Sequence, residues 1–311
     1  MSTEKKLPLV IIVGPTAVGK TSVSIDLAEK LNGEIVSADS RLLYRGMDIG
    51  TAKPTREEMR DVPHHLIDVA DPDDTWILAL YMQNAYQVID EIHARGKLPI
   101  LVGGTGQYVR AIIEGWRIPP QAPDFGLRDA LNHWADEIGA EAFHGRLEKL
   151  DRDAAENIDY RNVRRVVRAM EVILLTGERF SELRGKQECR YEPIILGISR
   201  SREELYERID QRIDLMLEAG LVKEIFDLLE AGYSPDLPTM SAIGYGEIIQ
   251  YLQGKIPFDE AVALIKRNTR IFVRRQANWF KPDDPRIQWF DAGEDMLDEM
   301  LLTVRSTLDA L

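Results

Sequence analysis

Residues 7–21 read LPLVIIVGPTAVGKT, an aliphatic run followed at once by G-x-x-x-x-G-K-T over Gly14–Thr21. The order of the parts carries the reading. A short continuous apolar run is a strand buried on both faces. The two glycines then let the backbone curl until successive N–H groups face inward. A helix, read from Thr21 to Leu31, adds its positive end at the same point. Gly14, Pro15, Thr16, Ala17, Val18 and Gly19 thus form a cradle for phosphate oxygens, Lys20 adds a mobile charge, and the Thr21 hydroxyl can ligate a Mg2+ ion that the phosphates hold. A plain glycine-rich turn would leave Lys20 and Thr21 unexplained. The motif leaves open which phosphorylated molecule binds.

Outward from this loop the chain alternates strand and helix. Gly33 is read as the C-cap of the first helix, 34–40 (EIVSADS) as a strand ending in Asp39-Ser40, and 65–69 (HLIDV) as a short strand. Residues 77–96 form an amphipathic helix, and 97–106 (KLPILVGGTG) a strand ending in Gly103-Gly104-Thr105. This rhythm predicts an α/β fold with a parallel sheet flanked by helices, of the phosphate-loop NTPase-like kind. Ligands of such sheets bind beyond the carboxyl ends of the strands, where Thr16–Thr21, Asp39-Ser40 and Gly103–Thr105 all fall. The proline-rich 116–126 (WRIPPQAPDFG) marks a boundary. From 127 to about 190 the pattern is helical with no convincing strand, and 191–201 (YEPIILGISRS) returns one. The domain reading is therefore a core of 1–117 and 194–311, interrupted by an all-helical insertion at 118–193. Helices follow at 201–220, 221–232, 241–254 and near 258–281, and QWFD at 288–291 reads as a last strand.

With 311 residues, 44% hydrophobic and 29% charged, the composition is that of an ordinary globular enzyme. The single cysteine, Cys189, excludes an intrachain disulfide framework and fits a reducing cytosol. No Cys/His cluster has zinc spacing. The N-terminal apolar run is too short for a signal peptide, and no stretch approaches a membrane span. A net charge of −13 argues against nucleic acid, but the average conceals two basic stripes. Residues 266–281 (KRNTRIFVRRQANWFK) carry six Lys/Arg and no acid, and 161–168 (RNVRRVVR) carry four Arg and no acid. Lys266, Arg270 and Arg274 recur every four residues, with Gln276, Asn278 and Trp279 interleaved, a pattern suited to phosphates, base edges and stacking. Arg161, Arg164 and Arg168 form a like stripe.

Asp39, at a strand end beside the phosphate loop, reads as a general base or a carboxylate on the Mg2+ side, against a turn cap as the alternative. LPILVGGT lacks the strand-end acid of many phosphate-loop ATPases, which weakens an ATP-hydrolase reading. Arg208 and Arg212, four apart on one helix, either face a departing phosphate or pair with Glu204, Glu207 and Asp214 on the surface. His64 and His65 point to opposite faces of a strand and read as packing residues.

Together GPTAVGKT, SADSRLLYRGMDIGTAKP, VPHHLIDVADP, ILVGGTGQY, RRVVRAMEVILLTG, AIGYGE and TRIFVRRQANWF closely resemble the tRNA dimethylallyltransferase (tRNA isopentenyltransferase) family over most of the chain. The resemblance implies transfer of the dimethylallyl group of dimethylallyl diphosphate to the exocyclic N6 amine of the adenosine at tRNA position 37, with release of diphosphate. It implies a diphosphate in the loop, Mg2+ as cofactor bound through that diphosphate with Thr21, Asp39 as general base, Arg212 on the diphosphate, and Thr105 beside the reacting adenine. It further implies tRNA contacts at Asp39, Ser40, Arg41, Leu42 and Thr105, at Arg128, Arg164, Arg165 and Arg168 in the insertion, at Ile243, Gly244 and Tyr245, and at Arg274, Arg275, Gln276, Trp279 and Lys281. The insertion is expected to clamp the anticodon stem-loop. A cytoplasmic monomer without membrane association is expected, and the lack of a zinc-finger segment after Trp279 reads as the bacterial type. Gly246 departs from the basic residue usual in the family's IGYKE. Two rivals remain: a phosphate-loop kinase of a small metabolite or nucleoside, which leaves DSRLLYRGMDIGTAKP idle, and a tRNA-binding protein without catalysis, which leaves Lys20, Thr21, Asp39 and Arg212 idle.

Overall fold

The first strand, β1 (Pro8–Val13), forms where the sequence places its aliphatic run, and Leu9 to Val13 are wholly inaccessible to solvent. Burying each such branched side chain contributes about 1.5–3 kcal/mol. The structure, a computed structural model, describes residues 5–119, 123–183 and 185–311. After β1 come α1 (Lys20–Leu31), β2 (Gly33–Ser37), α2 (Arg56–Met59), β3 (His64–His65), α3 (Leu78–Ala94), β4 (Leu98–Val102) and α4 (Gly106–Ile113). β5 (Trp116–Arg117), α5 (Phe125–Ile138), α6 (Ala140–Leu150), α7 (Arg152–Glu156), α8 (Val163–Thr176), α9 (Phe180–Leu183) and β6 (Gly185–Lys186) follow. The chain ends with β7 (Glu192–Ser199), α10 (Arg202–Glu218), α11 (Leu221–Glu230), α12 (Tyr245–Leu252), α13 (Phe258–Gln276), β8 (Ile287–Asp291) and α14 (Met296–Ala310).

Two compact units emerge, one of the residues up to Trp76 with Met82–Ile113 and Cys189–Leu311, the other of Ile77–Tyr81 and Glu114–Glu188. The larger unit holds a six-stranded sheet in the order β3-β2-β4-β1-β7-β8, every pairing parallel. β1 therefore lies between β4 and β7, and the loops after β1, β2 and β4 leave the same edge of the sheet. The smaller unit packs α5 to α9 around Leu131, Phe143, Leu147, Val166, Val167 and Met170.

Four local expectations are corrected. Asn32, not Gly33, closes α1 in the left-handed conformation (φ 51°), while Gly33 starts β2, where a Cβ would lie 2.9 Å from the Leu98 carbonyl oxygen. The strand expected at 65–69 is only His64–His65 paired with Ile35 and Val36, because Leu66 and Asp68 adopt positive φ and end the extended run. The smaller unit also contains a strand pair: Gly185–Lys186 lies antiparallel to Trp116–Arg117. The basic helix stops at Gln276, so Trp279 and Lys281 lie beyond it.

Candidate active site

The phosphate loop has the backbone its sequence demands. Gly14 and Gly19 sit at φ 149° and 112°, and Ala17 is forced to φ 62°, which costs an L-residue about 1–2 kcal/mol. The strain is held from outside: Arg208 Nε donates to Ala17 O (2.8 Å) and Arg200 Nε to Val18 O (3.2 Å). Lys20 is folded beneath its own loop, Nζ donating to Gly14 O (2.9 Å) and Pro15 O (2.8 Å). Burial lowers its pKa to about 8; the negative charge of Asp39 opposes the shift and the Arg212 cation adds to it. Burial likewise lowers the pKa of Arg212, against the raising effect of Asp39. Thr21 is exposed next to Lys20, and its hydroxyl makes no hydrogen bond among the described residues.

The other strand ends close up on this loop. A Cβ on Gly103 would lie 2.1 Å from Ala38 O, and one on Gly14 2.7 Å from Ile198 O. Thr105 ties β4 to β2: its N–H donates to Ala38 O (3.2 Å), and its Oγ1 accepts from Ser40 N (3.0 Å). Asp39 Oδ1 accepts from Arg41 N (2.9 Å), so the turn-capping role is real, while Oδ2 makes no hydrogen bond among the described residues. Arg41 reaches the carbonyls of Pro238 and Thr239.

Two cavities meet here. One, about 680 Å³, is lined by the phosphate loop, Leu42, Lys53, Arg60, Arg208 and Arg212. The other, about 510 Å³, has Thr105, Arg275 and Trp279 on its walls and an apolar side of Ile209, Ile213, Met216, Leu221, Ile265 and Phe272. Thr16, Ala17, Asp39, Thr51, Gly104 and Arg212 line both. A cationic chamber and an apolar chamber thus open onto one carboxylate and one guanidinium. Among the described residues neither Arg208 nor Arg212 makes the surface pairing considered above: Arg208 braces the loop, and Asp214 is bound by Lys266 (2.7 Å).

Other expected residues divide into those free to meet a ligand and those already engaged. Lys266 and Arg270 are held by α10, at Asp214 and Asp210 (2.5 Å), so the every-fourth-residue stripe is mostly an internal helix–helix seam. Arg274, Arg275 and Lys281 are exposed without ion pairs among the described residues. Gln276 is 7% exposed and spends its amide on backbone: Oε1 accepts from Thr16 N (2.8 Å) and Nε2 donates to Gly104 O (3.0 Å). It fastens two loops of the site and is not available for base edges. Tyr245 is fully buried, while Ile243 and Gly244, with Ser241 and Ala242 before them, line the cavity. At Gly246 a Cβ would meet nothing closer than 3.7 Å, so packing does not require the glycine.

In the smaller unit, Arg128 Nε (2.9 Å) and Arg168 Nη1 (2.6 Å) converge on the fully buried carboxylate of Glu171, which also accepts from Asp124 N. Arg161 is paired with Asp159, whereas Arg164 is exposed and unpaired among the described residues. His64 and His65 have the expected structural role, bonding to Val62 O and Glu34. Sequence reading missed the apolar wall, although Ile209, Ile213 and Met216 stand at i, i+4 and i+7. It also missed the brace from Arg200, which no pattern signals. No group of three or more His, Cys, Asp or Glu that could hold a metal occurs among the described residues, and no described helix is long and apolar enough to cross a membrane.

A phosphate loop whose cationic chamber opens into an apolar one, with a single carboxylate at the join, suits an enzyme that handles a hydrophobic group attached to a phosphorylated carrier. Comparison with known proteins narrows the class. Residues 42–283 match the family described as IPP transferase. The tRNA dimethylallyltransferase of Thermomicrobium roseum is 50% identical over 290 residues, 93% of this chain and 88% of that protein. That of Roseiflexus sp. is 48% identical over 305 residues, 98% and 100% of the two chains. The crystal structure of full-length tRNA isopentenylpyrophosphate transferase from Bacillus halodurans matches with a TM-score of 0.73 at 41% identity, over 98% of each chain. A eukaryotic dimethylallyltransferase described as acting on tRNA matches with a TM-score of 0.82 at 26% identity, over 98% of this chain and 80% of that one. The chain belongs to the IPP transferase family, the tRNA dimethylallyltransferases, and is a prenyl-transferring enzyme.

Proposed function

We propose that the protein transfers the dimethylallyl group from dimethylallyl diphosphate to N6 of the adenosine at tRNA position 37. The observation that carries the reading is the join of the two chambers at Asp39 and Arg212. The diphosphate occupies the loop chamber against Lys20 and Arg212, and the allylic tail lies along Ile209, Ile213 and Met216. The adenine leaves the anticodon-loop stack and enters beside Thr105, at the modest cost of extruding a loop base. N6 attacks C1 of the allylic group as the C1–O bond breaks; the electron pair leaves with the diphosphate, and the N6 proton passes to Asp39 Oδ2. Lys20, Arg212 and the loop N–H groups absorb the charge that builds on the leaving oxygens.

The donor set fits a Mg2+ ion carried by the diphosphate, with the Thr21 hydroxyl, unengaged among the described residues, as the protein ligand. Bound there, the ion would neutralise charge on the departing diphosphate. Arg164, Arg274, Arg275 and Lys281 are exposed cations suited to RNA phosphates. The insertion would hold the anticodon stem-loop through cations such as Arg164, in a cytoplasmic monomer.

The test is incubation with Mg2+, unmodified anticodon stem-loop RNA and labelled dimethylallyl diphosphate, with ATP in a parallel reaction. Label is expected in the RNA and absent when the position-37 adenosine is replaced. ATP consumption without label in RNA would favour a kinase instead. The electrostatics of Lys20 give a pH dependence. Its pKa of about 8 in the free enzyme means that it is charged below pH 8 and neutral above, while bound diphosphate needs the charged form. Affinity for dimethylallyl diphosphate is therefore expected to fall roughly tenfold between pH 8 and about 9.5, and Lys20→Met to abolish that fall. Isothermal titration at several pH values measures it, and a wild-type profile as flat as the variant's would remove Lys20 as the responsible group.

A further inference from the structure

Glu224 lies outside the motifs that mark the family, yet it fastens two of them together. Its Oε2 accepts from Asp48 N (3.0 Å) and Ile49 N (2.6 Å), and its Oε1 from Gly50 N (3.1 Å) and the Tyr245 hydroxyl (2.6 Å). Three consecutive backbone N–H groups aimed at one acceptor form an anion nest, filled here by a side chain of the protein itself. The bonds are charge-assisted, and such bonds are about twice as strong as neutral ones. The Tyr245 hydroxyl pKa is pushed up, by burial first and then by the charge and hydrogen bond of Glu224, so it stays a donor.

The neighbouring packing shows what the clamp controls. A Cβ on Gly50 would lie 2.4 Å from the Tyr245 ring and 2.9 Å from Leu221, so the 48–51 backbone rests directly on both side chains. Leu221 precedes Glu224 by one turn of α11. Gly50, Thr51, Leu221, Ile243 and Gly244 all line the apolar chamber. One carboxylate therefore locks the 48–51 loop against Leu221 and the turn that leads into Tyr245, adjoining parts of that chamber's wall.

We infer that Glu224 is a positioning residue that holds the Gly50, Thr51 and Leu221 side of the apolar chamber in place and, through that wall, sets the length of allylic chain the enzyme accepts. This rests on the prenyl transfer proposed above. Glu224 touches no reacting atom, so its effect is exerted through Gly50, Thr51 and Tyr245.

The experiment compares transfer from dimethylallyl diphosphate and from geranyl diphosphate to one stem-loop RNA, for the wild type, Glu224→Gln, Glu224→Ala and Tyr245→Phe. Absence of any transfer by the wild type would sink the functional reading itself; an active wild type isolates the present question. Glu224→Ala is expected to raise KM for dimethylallyl diphosphate and to narrow the preference for it over geranyl diphosphate, each roughly tenfold. Glu224→Gln keeps one accepting oxygen and Tyr245→Phe removes one donor, so both should shift the preference in the same direction by less. These two variants carry the test should the alanine protein fail to fold. An unchanged preference in folded Gln and Phe variants would overturn the inference. So would an equal loss of kcat with both donors, since that is what general structural damage produces.

Discussion

Asp39→Ala is expected to lower turnover by roughly 10²–10⁴-fold, the usual worth of a positioned general base. The exocyclic amine of adenine is a weak nucleophile, and its proton must leave as the new N–C bond forms. Asp39 is the carboxylate common to both chambers, and its Oδ2 makes no hydrogen bond among the described residues. The alanine variant confounds two losses, because Oδ1 also caps Arg41 N. Asp39→Asn separates them, since its amide oxygen can keep the cap while the basic oxygen is gone. Both variants should show the same fall in single-turnover rate, with stem-loop RNA affinity within a few fold of wild type. An asparagine variant that turns over normally would reduce Asp39 to a turn residue and leave proton removal to solvent.

The second large effect is expected at Arg212. Arg212→Gln should cost roughly 10²–10³ in kcat, comparable to removing one preorganised donor from a site of developing charge. The charge on the leaving diphosphate is greatest in the transition state, so kcat should fall more than affinity for the intact donor. Burial already lowers the pKa of this guanidinium, which means that its charge costs the folded protein energy. Replacing it with a neutral side chain should therefore not lower the melting temperature of the unliganded enzyme. Thermal unfolding beside steady-state kinetics checks both halves. A variant that melts markedly earlier, or that loses donor affinity and kcat in equal measure, would mean that Arg212 holds structure or ground state and not the transition state.

What the sequence disclosed follows from how local each signal is. LPLVIIVGPTAVGKT specifies strand, loop and helix within fifteen consecutive residues, and the structure has them almost residue for residue. Asp39 and Thr105 were legible because both sit at strand ends, where parallel sheets gather ligands. The role of Gln276 was not legible: the Thr16 N–H and Gly104 carbonyl that claim its amide lie 260 and 172 residues away. Lys266 and Arg270 misled for the same reason. Their pattern is that of an RNA-facing stripe, but the acids that neutralise them lie on α10, so counting charges within one helix could not reveal the pairing. Gly33 failed by a single residue, where Asn32, one of the few residue types that tolerate the left-handed conformation, took the cap.

The crowded strand ends have a consequence for how this enzyme can diverge. At the strand ends that floor the site, Gly14 and Gly103 press against the carbonyls of Ile198 and Ala38 with no room for even a methyl group. Inheritance can hardly touch that floor without breaking the sheet. Variation is left to Ile209, Ile213, Met216, Phe272 and the loop that Glu224 holds. A lineage drifting toward a longer or more polar donor would be expected to rewrite α10 and α13 while keeping the same backbone underfoot.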